Sequence, residues 1–563
     1  MKKTLLILAG ISIFQFGLSQ NSLLIPDTIT GRNINLTLQN GTHQFMSGAI
    51  TTTMGVNGDI LAPTIILNKG DSVNFSVLNQ LADTTTIHWH GLHVSPENDG
   101  GPHTYMTPSS TWNPSFKVLD KAATYWYHPH LHHKTNKHVS LGIAGLIIVR
   151  DSVESQLSLP RTYGIDDIPV VIQTKDFDAS NQVVVHSNSD DIIMANATID
   201  AEVDVPAQII RVRLLNGSSQ RAFNVGLTNN QNFYQIASDG GLLATPYQTT
   251  RLLLSPGERA EILIDFTGKN GDSVELKSFA SELPNGIYGA TTPGMMTAMT
   301  LNGYSPNPLN GTNFKILKFK IKPQNSSAIT SIPTSLETVT PWSTSSVNTT
   351  RNLTFSPTTM GMNQLNGTFR INGASFDMNT INYTIPLNNV EIWQITNQSA
   401  IAHPFHIHDV QFYILTRNGV APPLNERGRK DVVLVKPQEV VRFITKFETF
   451  SNSNVPYMYH CHLLRHEDDG MMGQFIVSSP VSVDEIEDDF KVSIYPNPSN
   501  GEIKLFSEQK INNIKVFDVL GKEIRAEIII NDQFTLINNL PRGIVFVKIE
   551  FEGKIMTKKV LVN

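Results

Sequence analysis

The sequence predicts an all-β protein assembled from three related sandwich domains and a small strand-rich tail, and three observations carry that prediction. Short alternations of apolar and polar residues recur: Asp71-Ser-Val-Asn-Phe-Ser-Val77 repeats with period 2, as do Ala260, Ile262, Ile264 and Phe266. This is the spacing of a strand with one buried face. Long 3.6-residue periodicity is scarce, and turn residues punctuate the runs. The third observation is an internal repeat. Asn79-Gln80 ends one strand-like run, and His88 and His90 follow nine and eleven residues after Asn79. Asn397-Gln398 ends another, with His406 and His408 at the same offsets. Between them, Leu215-Asn216-Gly217 places Val225 and Leu227 at the corresponding positions.

A second pair of segments follows the same repeat. Tyr125-Trp-Tyr-His-Pro-His130 matches Tyr457-Met-Tyr-His-Cys-His462, and each precedes a Gly-x-x-Gly, at Gly142 to Gly145 and at Gly470 to Gly473. Pro256-Gly-Glu258 and Pro437-Gln-Glu439 each lead into an alternating strand. The expected domains therefore run from 21 to 155, 165 to 322 and 351 to 480, with a Ser/Thr/Pro-rich linker at 323–350. The first and third keep histidines, and the middle one has apolar residues in their place. An acidic stretch, Asp484 to Asp489, leads into the tail, placed at 488–563.

Bulk properties narrow the function. A chain of 563 residues is too long for one domain, and 40% hydrophobic with 16% charged residues suits a globular protein. A net charge of −6 offers no basic field for nucleic acid. Lys2 and Lys3, an apolar stretch from Leu5 to Phe16 and Gly17-Leu-Ser-Gln20 read as a cleaved export signal at 1–20. No later run reads as a transmembrane helix. The single cysteine, Cys461, rules out an intrachain disulfide.

Of 17 histidines, ten fall into four clusters: His88/His90, His128/His130, His403/His406/His408 and His460/His462/His466. On a strand, residues i and i+2 face one side, so each His-x-His aims two imidazoles at one point. Four such pairs supply eight imidazoles, too many for one ion and suited to a multinuclear site shared by the first and third domains. Cys461, between His460 and His462, then faces the other side of its strand. There it can join His403, His466 and Met471. Two imidazoles, a thiolate and a weak thioether make a blue-copper electron-transfer site. Zinc would fit a His/Cys set but has no redox role.

At these residues the chain resembles a known family. His88-Trp-His-Gly91, His128-Pro-His130, His403-Pro-Phe-His-Ile-His408 and His460-Cys-His-Leu-Leu-Arg-His466 are similar to the four copper motifs of three-domain multicopper oxidases. That family includes laccases, bilirubin oxidases and the bacterial cuprous oxidase. The resemblance covers about 21–480. It implies three cupredoxin-like Greek-key domains and four copper ions: one type 1, one type 2 and a type 3 pair. By the same resemblance His403, Cys461, His466 and Met471 hold type 1. His88 and His406 hold type 2, and His90, His128, His130, His408, His460 and His462 hold the type 3 pair. A small reductant would give electrons singly at type 1, and dioxygen would become water at the other three.

Making water consumes four protons. Asp99, in Glu97-Asn-Asp-Gly-Gly101, and Glu467, directly after His466, match acidic residues that serve proton delivery in bacterial relatives. His132, His133 and His138 follow a ligand pair and could support it from outside. His43, His93, His103 and His186 are read as structural.

The electron donor is less defined. The cuprous oxidase carries a long Met-rich insertion ahead of a segment like Ile371-Asn-Gly-Ala-Ser-Phe-Asp-Met378. Here that region has only Met360 and Met362, and Ser399 stands where that relative has an acidic residue. Met295, Met296 and Met299 form another small group, read as packing. A laccase-like oxidation of phenols or other small reductants is the first expectation. Cuprous-ion oxidation is the second, and a non-enzymatic copper-binding or structural role the third. The tail, with Ser493-Ile-Tyr-Pro-Asn-Pro-Ser-Asn-Gly501, Val516-Phe-Asp-Val-Leu-Gly521 and Leu540-Pro-Arg-Gly543, resembles the C-terminal sorting domain of type IX secretion. That implies a partner in the secretion machinery and a secreted or cell-surface protein; a monomer is expected separately.

Overall fold

Each alternating run becomes a strand whose apolar face is buried, and the strands among the described residues pair into eight sheets. The computed structural model describes residues 21–187, 189–292, 294–295, 307–359, 368–479, 492–531, 533–551 and 554–563. The expected signal at 1–20, the stretch Asp484–Asp489 and Met296, Met299, Met360 and Met362 lie outside them. Two compact units divide after Ser479.

In the first unit, Asn33–His43 and Ser72–Asn79 run parallel. They bury Ile34, Leu36 and Leu38 beside Val73, Phe75 and Val77. A second sheet closes the sandwich, in the order Thr28–Thr30, Thr64–Asn68, Gly145–Arg150, Ala123–His128, His88–His90. The third sandwich repeats this arrangement. Val390–Asn397 sits centrally in one sheet, and Asn452–Cys461 with His403–Ile407 in the other, around Trp393, Phe405, Phe443 and Phe475. The middle sandwich pairs a six-stranded with a seven-stranded sheet. Val225 and Leu227 there join the apolar core.

The repeated asparagine explains the repeated offset. Asn79, Asn216 and Asn397 are all fully buried. Each donates from Nδ2 to two or more carbonyls across the turn, and each Oδ1 accepts the N–H two residues on, from Leu81, Ser218 or Ser399. A carboxamide closing its own turn fixes where the next strand starts. The histidines thus enter at a set distance, and His88 pairs opposite His128 while His406 pairs opposite His460.

One expectation is refined. Only His88 and His90 both lie on a strand; His130, His408 and His462 fall just past strand ends. Their N–H groups are held instead by bonds beyond the strand ends: His130 N–H to Thr86 Oγ1, His408 N–H to the Met458 carbonyl and His462 N–H to the Pro404 carbonyl. The second unit has two four-stranded sheets around Leu505, Val516, Ile537, Val547 and Val560. No helix among the described residues is long and apolar enough to cross a membrane.

Candidate metal centre

The first and third sandwiches bring all eight paired histidines into one buried cluster, and the donor atoms sort it into subsets. His90, His128 and His462 form one trio whose donors lie within 4.8 Å of one another, and His130, His408 and His460 form a second. His90 Nδ1 is 3.3 Å from His128 Nε2, and His130 Nε2 is 3.0 Å from His460 Nε2 and 3.1 Å from His408 Nε2. His88 and His406 converge with His90 in a third, overlapping group. Each donates from Nδ1 to a backbone carbonyl, that of Asp99 (2.9 Å) and of Asp431 (2.8 Å) respectively. That bond fixes the tautomer and leaves the Nε2 lone pair free. Neither Nε2 has a partner among the described residues, and nor does either ring nitrogen of His462.

Burial, with the neighbouring imidazoles adding to it, holds His90, His128, His406 and His408 well below the ordinary histidine range. Burial foremost also pushes His462 down to about 3. These five rings are therefore neutral at physiological pH, the form that binds metal. Orphaned, convergent nitrogens in a buried space are what a metal cluster requires and what a packed core avoids.

A second donor set lies on the other side of the strand that ends at Cys461. Cys461 Sγ is 3.5 Å from His403 Nδ1 and 3.7 Å from His466 Nδ1, and the two nitrogens are 3.3 Å apart. Burial pushes the Cys461 thiol up, so a thiolate here needs a cation beside it. Met471 is fully buried, its carbonyl accepting from Cys461 N–H and its N–H donating to the His466 carbonyl. Phe369 packs on both His403 and His466. His466 alone of the three donors is partly exposed. Two imidazoles and a sulfur, with Met471 in the same core, fit copper.

Both predicted acids lie at the cluster. Asp99 Oδ2 accepts from His408 Nδ1 at 2.7 Å, and its Oδ1 is 3.4 Å from His88 Nδ1. Glu467 sits against the second trio, 3.2 Å from His460 Nδ1 and 3.5 Å from His130 Nδ1. Burial works to raise the Glu467 carboxyl, but His130 and His460 outweigh it and hold it well below the usual range. None of the other histidines joins either donor set among the described residues. His138 bonds Thr85 and His133 donates to the Asp468 carbonyl. His93 pairs with Asp409.

Two features escaped the sequence reading. Asp431 meets His90 Nε2 at 3.2 Å and is clamped by Arg259 of the middle sandwich. Gly257, at φ +84, lies so close to His462 that an added Cβ would meet its ring at 2.9 Å. Gln438 takes the matching place in the third sandwich, also with positive φ. The departure from Gln to Gly within the repeat was the available signal.

Residues 37–154 and 339–481 each match a domain described as multicopper oxidase, and 493–563 match a secretion system C-terminal sorting domain. A protein called multicopper oxidase mco from Staphylococcus haemolyticus is 32% identical, over 82% of this chain and 93% of its own length. A cell division protein FtsP from Photorhabdus laumondii is 31% identical over the same shares. The solved structure of a laccase-like multicopper oxidase CueO from Ochrobactrum sp., described as active towards lignin model compounds and lignosulfonate, superposes with a TM-score of 0.70. It is 31% identical, covering 81% of this chain and 100% of its own.

Proposed function

The chain belongs to the multicopper oxidases, copper-dependent oxidoreductases that use dioxygen, and on that premise we propose that it takes single electrons from a small, laccase-type reductant at Cys461 and passes them to the eight-histidine cluster. The observation that carries this is the pair of imidazole trios, His90/His128/His462 and His130/His408/His460, with His88 and His406 converging beside His90, next to a separate sulfur site on the same strand. In this reading His403, Cys461, His466 and Met471 hold type 1 copper. His88 and His406 hold type 2, and the trios hold the type 3 pair. Bound copper would supply one-electron redox at the sulfur site and four-electron reduction of dioxygen at the cluster.

The residues themselves do the rest. Cys461 shares a backbone with His460 and His462, and its carbonyl accepts from His460 Nδ1 at 3.1 Å, so a continuous bonded path joins the two sites. Full burial of the eight imidazoles excludes bulk water. Asp99 at His408 and Glu467 between His130 and His460 are the acids placed to hold and move the protons that water formation consumes. Gly257 lets the middle sandwich close over His462. Electrons enter at His466, the exposed edge.

That edge favours an outer-sphere donor such as a phenol. Ser399, a neutral residue, occupies the position behind His403, and no carboxylate stands there to gather cuprous ions. The FtsP-like relatives raise a non-enzymatic role, which the complete donor set here argues against. Steady-state oxidation of a dimethoxyphenol, bilirubin, Cu(I) and Fe(II) by copper-loaded protein, with copper counted per chain, tests the proposal. Strong preference for Cu(I) would overturn the substrate class, and copper uptake without oxygen consumption would overturn the oxidase. The matched tail supports export by type IX secretion to the surface or the medium.

A further inference from the structure

The middle sandwich carries none of the proposed copper ligands, yet one of its side chains reaches the cluster. We propose that Arg259 is a positioning residue that, through Asp431, sets the tautomer of His90 and so prepares the His90/His128/His462 trio. This rests on the reading that the trio holds a copper ion.

Arg259 is completely buried, and all five of its N–H groups are engaged. Nε donates to the Thr124 carbonyl (3.1 Å), NH1 to the Gly257 carbonyl (3.0 Å) and NH2 to the Asp239 carbonyl (3.0 Å). The remaining two form a parallel pair to Asp431 Oδ1 and Oδ2, both at 2.6 Å. This two-pronged geometry is one that lysine cannot reproduce. The guanidinium thus ties the first sandwich, at the strand ending in His128, to the third, at Asp431.

Asp431 is turned toward the cluster twice. Its carbonyl accepts from His406 Nδ1, and its Oδ1 faces His90 Nε2 at 3.2 Å. A carboxylate already bonded to arginine can only accept, so His90 carries its proton on Nε2 and presents Nδ1 to His128. The opposite orientation holds for His88, His128, His406, His408 and His460, whose Nδ1 atoms bond outward to carbonyl or carboxylate oxygens. Of the cluster histidines with an outward hydrogen bond among the described residues, His90 alone makes it from Nε2, and Asp431 is the cause. Gly91 makes room for the device: a Cβ there would meet Asp431 Oδ2 at 2.4 Å and Arg259 NH2 at 2.7 Å.

The test compares wild type, R259Q, R259K, D431N, H90Q and D431N/H90Q. Metal-free proteins are melted, then loaded with copper. Copper per chain, blue absorbance and the fraction of copper visible by electron paramagnetic resonance are measured. The expected result is that R259Q and D431N keep the blue band but lose about one copper per chain, or show a roughly twofold rise in the spin-visible fraction. R259K should lose as much as R259Q, and D431N should add nothing on the H90Q background. Full copper and unchanged spin count in folded R259Q or D431N would overturn the proposal. So would equal loss of the blue band, which marks a general structural role, or additive loss in the double variant. If R259Q or R259K does not fold, the D431N and H90Q cycle decides alone. Wild type that fills only the Cys461 site would instead overturn the cluster assignment.

Discussion

Ser399→Ala isolates what orients the imidazole of His403. Ser399 is fully buried, and its hydroxyl has one proton with two acceptors beside it, Asn397 Oδ1 at 2.8 Å and the Ile401 carbonyl at 2.9 Å. The proton goes to one of these, so the oxygen accepts from His403 Nε2–H at 2.9 Å. That bond keeps the Nδ1 lone pair pointed at Cys461 Sγ, 3.5 Å away. With alanine, the metal-free ring is free to take the other tautomer, proton on Nδ1, and copper binding must reverse it with a buried N–H left unpaired. Such a group costs about 1–3 kcal/mol, which is about 5- to 150-fold in affinity at roughly 1.4 kcal/mol per tenfold. Lost outer partners of metal-bound histidines typically cost about 10- to 100-fold. The assay titrates copper against a chelator while following the blue band, then measures the reduction potential. We expect at least tenfold weaker binding and a shifted potential, with the eight-histidine cluster still filling. Wild-type affinity and potential in S399A would refute the reasoning.

Four further outcomes follow from the same geometry. Cys461→Ser should abolish the blue colour and reductant oxidation while copper still loads at the histidine cluster, checked by metal analysis and spectroscopy. Asp99→Asn removes a titratable carboxyl without touching the Cys461 site, so the colour should survive while reoxidation by dioxygen slows at least tenfold in stopped flow. Glu261→Gln breaks a buried group that accepts from Thr124 Oγ1, Arg211 Nε and Arg213 NH1, at a cost of about 3–5 kcal/mol at neutral pH. Burial works to raise the Glu261 carboxyl, and Arg211 and Arg213 outweigh it to hold it at about 2. Its folded value lies below its unfolded one, so the stabilisation is complete above about 4.5 and lost as pH falls toward 2. Wild type and E261Q should therefore converge in denaturant melts across that window. Ending the chain after Ser479 removes a unit with its own core, so copper content should persist while export fails, read by fractionation.

What the sequence revealed and what it hid have a common cause. Strand alternation and the His-x-His spacing are local, so Val73, Phe75 and Val77 in one core and the eight imidazoles in one cluster could both be read from short windows. The alternation of Ala260, Ile262, Ile264 and Phe266 was read with equal ease, but it implies a polar face in water. Instead that face is buried too: Arg259, Glu261 and Leu263 are as enclosed as their apolar neighbours. Its charges find partners on other sandwiches, Arg259 at Asp431 and Glu261 at Thr124. No spacing rule links Arg259 to a residue 172 positions away. Buried arginine is stable only when every donor is met, so a charged residue on an alternating strand is ambiguous until its opposite face is known. The same ambiguity conceals why a sandwich without proposed ligands belongs in the protein. Its contribution is the face that the pattern labels as solvent-facing, which presses Gly257 against His462 and Arg259 against Asp431. The histidine motifs name the donors, but the tautomer that makes His90 usable is settled by a residue two sandwiches away in the chain.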